Sequence, residues 1–203
     1  MGTLRQTIPP CWHILPENGI LVPMTAYQTI YDEAIGNYGL ITVANAKELG
    51  INSSTLAKLA HRGRLERIAH GLYRIDKYVP SRDGFDAYAC AVLSLGSDAY
   101  LWGPSALAIR RLCPTDPSRI YVATPARFRG KNRECLIVKD RMPCNDIDNI
   151  EGIRVQGICD AILSSQHIIM LDRLLEAISN AENQSLISAQ QAHDITRELY
   201  IND

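Results

Sequence analysis

Apolar residues return every three or four positions from Thr25 to Gly36, where Ala26, Ile30 and Ala34 make one stripe with Tyr27 and Tyr31 beside it. That spacing predicts an amphipathic helix, ended by Asn37, Tyr38 and Gly39. Thr42 then stands where an N-cap oxygen is needed, Val43 to Leu49 suit a short helix, and Gly50 can take the positive φ that closes it. Asn52 is a second N-cap candidate for a helix from Ser53 to Arg62, with Gly63 as its stop. At about 100° per residue Leu56, Leu59 and Ala60 share its inner face, while Ser54, Lys58, His61 and Arg62 point outward. The period then shifts to two. Arg64-Leu65-Glu66-Arg67-Ile68 alternates, turns at Ala69-His70-Gly71 and returns as Leu72-Tyr73-Arg74-Ile75, which predicts a small antiparallel hairpin.

Two short helices followed by a hairpin describe a winged helix-turn-helix, expected over residues 24–79. Charge sharpens this expectation. Lys47, Lys58, Arg62, Arg64, Arg67, Arg74 and Lys77 stand against Glu48, Glu66 and Asp76, whereas the 203-residue chain carries a formal charge of -1. A local excess of positive charge within a slightly acidic protein points to a polyanionic partner for this segment alone. The expected DNA-binding residues are Ser53, Ser54, Thr55, Lys58, His61 and Arg62 on the second helix, together with Arg64, Arg67, His70 and Arg74 on or near the wing. The helix residues suit base edges and phosphates in a major groove, and the wing residues suit the flanking backbone.

The second half, residues 80–203, reads as a mixed α+β domain. Phe85, Tyr88, Ala89, Val92 and Leu93 form a helical stripe ended by Gly96, and Gly103-Pro104 opens another helix that Cys113-Pro114 ends. Three β-branched-rich stretches predict strands: Arg119 to Ala123, Cys135 to Lys139, and Ile153 to Gln156. Two final helices follow, with Ile168, Leu171, Leu174, Leu175 and Ile178 in one stripe and Ala192, Ile195 and Leu199 in the next. The helices are expected to pack on one side of a small sheet. Residues 1–23, with Pro9, Pro10, Pro16 and Pro23, show neither period and predict an irregular arm. Met24 opens the first periodic segment and is the candidate natural start.

Between the first two of these strands, Arg127, Arg129, Lys131 and Arg133 surround Phe128 and Gly130, a second candidate nucleic-acid contact. Little in the chain suggests catalysis. A restriction-type nuclease needs carboxylates and a lysine converging on a metal-bound water, yet Glu134 and Lys139 are separated by four residues and no Asp/Glu-x-Lys occurs there. Asp146 and Asp148 alternate but read as an exposed turn beside Pro143 and Asn145. The histidines lack H-E-x-x-H spacing, and neither a Walker loop nor a G-x-S-x-G elbow is present. No catalytic residue, metal or cofactor is therefore expected. Six cysteines without a C-x-x-C pair suggest reduced, mostly buried thiols. The N-terminus lacks the continuous apolar core of a secretory signal, and no apolar run nears the roughly 20 residues that span a bilayer, so a cytoplasmic location is expected.

The segment LITVANAKELGINSSTLAKLAHRGRLERIAHGLYRI, above all G-I-N-S-S-T-L-x-x-L-x-x-R-G-R-L-E-R-I-x-x-G-L-Y-R, resembles the N-terminal domain of AbiEi-type antitoxins of type IV toxin-antitoxin and abortive-infection systems. LWGPSALAIRRL and IEGIRVQGICDAILSS look like weaker signatures of that family's C-terminal region. The resemblance implies a repressor of its own operon that binds inverted repeats, as a dimer on DNA, and that opposes a nucleotidyltransferase toxin without a stable complex. The arm before Met24 departs from the family pattern. Two other classes compete with this one: a metal-dependent nuclease targeted by a winged helix, and a non-catalytic interaction scaffold.

Overall fold

The computed structural model describes residues 12–14, 21–23, 25–80, 83–114, 117–125, 135–139 and 146–201. The chain divides into two compact units, Met1–Arg82 and Asp83–Asp203.

In the first unit, β1 (Trp12–Ile14) and β2 (Leu21–Pro23) pair antiparallel, so part of the stretch expected to be irregular is a short strand pair. Then follow α1 (Ala26–Ile35), β3 (Leu40–Thr42), α2 (Val43–Glu48), α3 (Ser53–His61), β4 (Leu65–Ala69) and β5 (Leu72–Ile75). Helix starts follow local chemistry. The Thr25 hydroxyl accepts from the backbone N–H of Gln28 while the Gln28 side chain accepts from the Thr25 N–H, a reciprocal capping box. Thr42 caps α2 through the N–H of Asn45 at 3.0 Å. Asn52 occupies the N-cap position of α3, but its side chain makes no capping bond.

The helix ends obey one rule twice. After α2, Gly50 adopts φ +75°, with its N–H on the Lys47 carbonyl and that of Ile51 on the Ala46 carbonyl at 2.7 Å. After α3, Gly63 adopts φ +70°, its N–H on Ala60 and that of Arg64 on Leu59, both at 3.0 Å. This double-bonded ending requires a left-handed residue, which glycine adopts without Cβ strain. The first glycine turns the chain from α2 into α3, and the second delivers it to the wing.

β3, β5 and β4 form an antiparallel sheet in that order, so β5 is central. Strand β3 was not expected from the sequence. It pairs Ile41 with Tyr73 and brings the first helix into register with the wing. Ile30 and Ala34 of α1, Ile41, Ala46, Ile51, Leu56 of α3, Leu65, Tyr73 and Ile75 make one core, with Leu59 and Ala60 packed against it. Fully burying a side chain such as Ile30, Ile41 or Leu56 is worth about 1.5–3 kcal/mol relative to exposure. The inner face assigned to α3 is thus the face that packs, whereas Ala26 and Tyr31, on or beside the expected stripe of α1, are exposed.

The second unit holds α4 (Phe85–Leu95), β6 (Tyr100–Leu101), α5 (Gly103–Ile109), β7 (Ile120–Thr124), β8 (Cys135–Lys139), β9 (Ile147–Ile150), β10 (Ile153–Gln156), α6 (Ile158–Ser164), α7 (Leu171–Asn183) and α8 (Ala189–Ile201). Its five-stranded sheet runs β8-β7-β6-β10-β9 and is mixed: β7 with β8 and β6 with β10 are parallel, the other pairs antiparallel. The architecture is α+β, as expected. Three details differ from the sequence reading. Val122, Ala123 and Thr124 are consecutive in β7 and all buried, so both faces of that strand are covered, against the one-sided packing expected. α5 ends at Ile109, before Cys113-Pro114, and Arg111 follows with φ +54°. Asp148 lies in β9, opposite Val155, where a turn had been read.

Polar side chains fasten this unit internally. Gln156 of β10 accepts from the Gly103 N–H at 2.8 Å and donates to the Ser164 hydroxyl at 3.0 Å, tying the start of α5 and the end of α6 to the sheet. Arg110, its side chain only 6% exposed, donates to the Ala106 carbonyl and to Asp148. Cys113 and Cys135 are buried thiols.

Candidate nucleic-acid interface

One side of α3 has no protein neighbour. Ser53, Ser54, Lys58, His61 and Arg62 are all exposed, while Thr55 is half-buried and donates its N–H to the Asn52 carbonyl. The helix displays hydroxyls at its first turn and cations along its last, so a groove-following polyanion would meet donors along its whole length. Lys58 also lies in the last turn, where the helix dipole favours positive charge.

The wing extends this surface. Arg64 and Arg67 are exposed, and His70 with Gly71 forms the turn between the closing pair Ala69 and Leu72. The register shifts between Arg67 and Ala69, which leaves Ile68 as an extra residue on β4. Such a bulge increases the local twist of a hairpin. Here the Arg67 guanidinium bends back along it, with Nε donating to the Ala69 carbonyl at 3.4 Å, so the cation stays beside the turn. The Gly71 carbonyl accepts the Val43 N–H at 2.9 Å, which fixes the turn to the start of α2.

Arg74 lies in the returning strand of the wing, as expected, but less exposed than Arg64 and Arg67. It lies in the central strand between Leu40 and Glu66, is half-buried, and its Nε is shielded from solvent with no hydrogen-bond partner. The sequence shows that Arg74 alternates with apolar neighbours. It does not show that β3 closes the far side of β5. Arg127, Arg129, Lys131 and Arg133 lie outside the described residues.

Arg64 marks the junction between α3 and the wing. Its N–H is bound by the end of α3, its carbonyl accepts from the Asp76 N–H at 3.1 Å, and its guanidinium lies 5.2 Å from the ring centre of Tyr27 on α1. The Tyr27 hydroxyl in turn donates to Asp76 Oδ1 at 2.8 Å. Partial burial and then that hydrogen bond push the Tyr27 phenol above the ordinary tyrosine range, against an opposing pull from Arg64. Spacing alone makes Tyr27 a neighbour of the apolar stripe of α1. Its tyrosine identity at a position bordering solvent was the available signal.

Among the described residues, none of Lys47, Lys58, Arg62, Arg64, Arg67, Arg74 and Lys77 is in an ion pair. Arg110 with Asp148, Arg154 with Asp98 and Arg197 with Asp194, all of the second unit, do pair. Among the described residues, these seven cations are therefore left without a carboxylate partner. Residues 28–75 match the AbiEi antitoxin family of transcriptional regulators. That match spans α1 from Gln28 through β5, the segment whose motif carried the resemblance. The crystal structure of the RV2827C protein from Mycobacterium tuberculosis is similar at 12% identity, covering 85% of this chain and 80% of that one, with a TM-score of 0.43. No curated protein matches.

Among the described residues no group of three or more His, Cys, Asp or Glu side chains is placed to hold a metal ion, and no helix is long and apolar enough to cross a membrane. Asp146 and Asp148, the carboxylates closest to nuclease spacing, are used otherwise. Asp148 pairs with Arg110, and Asp146 packs against Gly157, whose N–H its backbone carbonyl accepts at 2.8 Å.

Proposed function

We propose that the protein is a DNA-binding transcriptional repressor of the AbiEi antitoxin type, acting in the cytoplasm. α3 enters the major groove with Ser53, Ser54, Thr55, Lys58, His61 and Arg62. Arg64, Arg67 and His70 hold the flanking phosphates, and Arg74 supports the wing from within the sheet. One observation carries this reading: among the described residues Lys47, Lys58, Arg62, Arg64, Arg67, Arg74 and Lys77 have no ion-pair partner, and all but the half-buried Arg74 are exposed. Exposed, unpaired cations can neutralise phosphates of duplex DNA and release its condensed counterions, which favours binding.

The finer function follows the family likeness. Two copies occupy inverted repeats upstream of their own operon, and the second unit opposes a nucleotidyltransferase toxin without forming a stable complex with it. Retardation of a duplex taken from immediately upstream of the reading frame, against a scrambled duplex of equal composition, tests the regulator. Sequence-dependent retardation supports it. Cleavage of the duplex in Mg²⁺ would support a nuclease instead, and indifference to DNA would leave an interaction scaffold. Co-expression with a nucleotidyltransferase toxin encoded in the same operon, scored by growth, tests the antitoxin role, and an operon without such a reading frame would count against it.

A further inference from the structure

Tyr27 contacts two oppositely charged side chains, Arg64 and Asp76. Its ring carries the Arg64 guanidinium at 5.2 Å, and its hydroxyl is spent on Asp76 Oδ1 at 2.8 Å. The backbones of Arg64 and Asp76 are themselves hydrogen-bonded at 3.1 Å, so the two side chains spring from adjoining points at the base of the wing. They nevertheless make no ion pair. The phenol stands in the place of that pair.

We propose that Tyr27 is a positioning residue for DNA binding: its ring seats the Arg64 guanidinium and its hydroxyl occupies Asp76, keeping that cation available to a backbone phosphate. The proposal rests on the DNA-binding reading above and assigns a role to a residue of α1, outside the recognition helix and the wing. An arginine over an aromatic face retains its charge and its outward N–H donors, because the attraction is to the ring quadrupole and uses no hydrogen bond. An arginine paired with a carboxylate offers little net charge to a phosphate. The same guanidinium is thus available or neutralised according to what Asp76 has as its partner.

Fluorescence anisotropy with a labelled duplex of mixed sequence, about three helical turns long, read across a KCl series, tests this. Wild-type protein is expected to bind with a steep salt dependence, and Arg64→Ala should flatten the slope of log K against log salt by about one unit. Tyr27→Phe keeps the ring but releases Asp76, so it should flatten the slope by about the same amount and weaken binding by roughly threefold to tenfold at low salt. Adding Asp76→Asn to Tyr27→Phe should restore the wild-type slope. Tyr27→Phe in the Arg64→Ala background should change nothing further.

Asp76→Asn alone, with the phenol in place, should bind at least as tightly as wild type and shows that the site tolerates change. A wild-type slope in Tyr27→Phe, an equal loss with and without Arg64, or no rescue by Asp76→Asn would each overturn the proposal. Failure of the wild-type protein to bind the duplex would instead overturn the DNA-binding reading itself, before any variant is compared.

Discussion

Two glycines of the first unit share a left-handed conformation but not a cost of replacement. Gly50, at φ +75°, has no atom within 4 Å of the place a Cβ would occupy, whereas at Gly39, φ +69°, the added atom would fall 2.4 Å from Cγ of Tyr78. At Gly50 alanine therefore meets only backbone strain, about 1–2 kcal/mol for an L-residue in this region. Part of that is offset because alanine also lowers the entropy of the unfolded chain by about 0.4–1 kcal/mol. A net loss near 1 kcal/mol is expected.

At Gly39 the same strain applies, and Tyr78 must also move. Its Cβ and Cγ lie close to the backbone, so rotation of the ring does not relieve the clash, and Tyr78 is packed on the core of α1, α3 and the sheet. Overpacking of this kind adds about 1–3 kcal/mol. The assay is urea unfolding followed through backbone amide resonances of residues 40–75, which isolates the first unit from the second. Gly39→Ala should lose about 2–4 kcal/mol, well beyond Gly50→Ala. Equal losses at the two sites, or a larger one at Gly50, would refute the reasoning.

Other expectations follow from the same contacts. Asp148→Asn removes the charge facing Arg110, a guanidinium 6% exposed, while Asp148 itself is 48% exposed, so a loss of about 1–3 kcal/mol is expected by thermal melting of the second unit. Replacing Arg110 and Asp148 together by Met and Leu should cost less than Asp148→Asn alone, because no buried charge is left behind. The Tyr27 phenol is raised above its free value near 10, so the stabilisation it supplies is complete below that pH and lost as pH rises through the higher folded value. In a phenolate absorbance titration, Tyr27→Phe should remove a late-titrating component.

Local chemistry made the first unit legible. The Thr42 hydroxyl and the left-handed Gly50 and Gly63 act on backbone groups only a few residues away, so caps and stops fall within a residue or two of the observed helix ends. The outward face of α3 was legible for the same reason, since a helix of fixed pitch needs only Leu56, Leu59 and Ala60 to set its orientation. What depended on distant partners was not. β3 is three residues long and β6 two, too short for a period of two to register. Ile147-Asp148-Asn149-Ile150 carries turn-forming residues and becomes a strand because Ile153–Gln156 pairs with it, while the Asp148 carboxylate meets Arg110 from α5. The partial burial of Arg74 follows from the sheet order, which spacing does not give, and the contacts of Tyr27 come from Arg64 and Asp76, 37 and 49 residues away.

The most direct test of a cationic α3 bound in duplex DNA is the salt dependence of binding after Lys58→Ala and Arg62→Ala are combined. Both side chains are exposed and unpaired, so the melting temperature should stay at the wild-type value while the slope of log K against log salt falls by about two units and affinity drops at least about tenfold. Wild-type affinity and slope in that double variant would contradict the account.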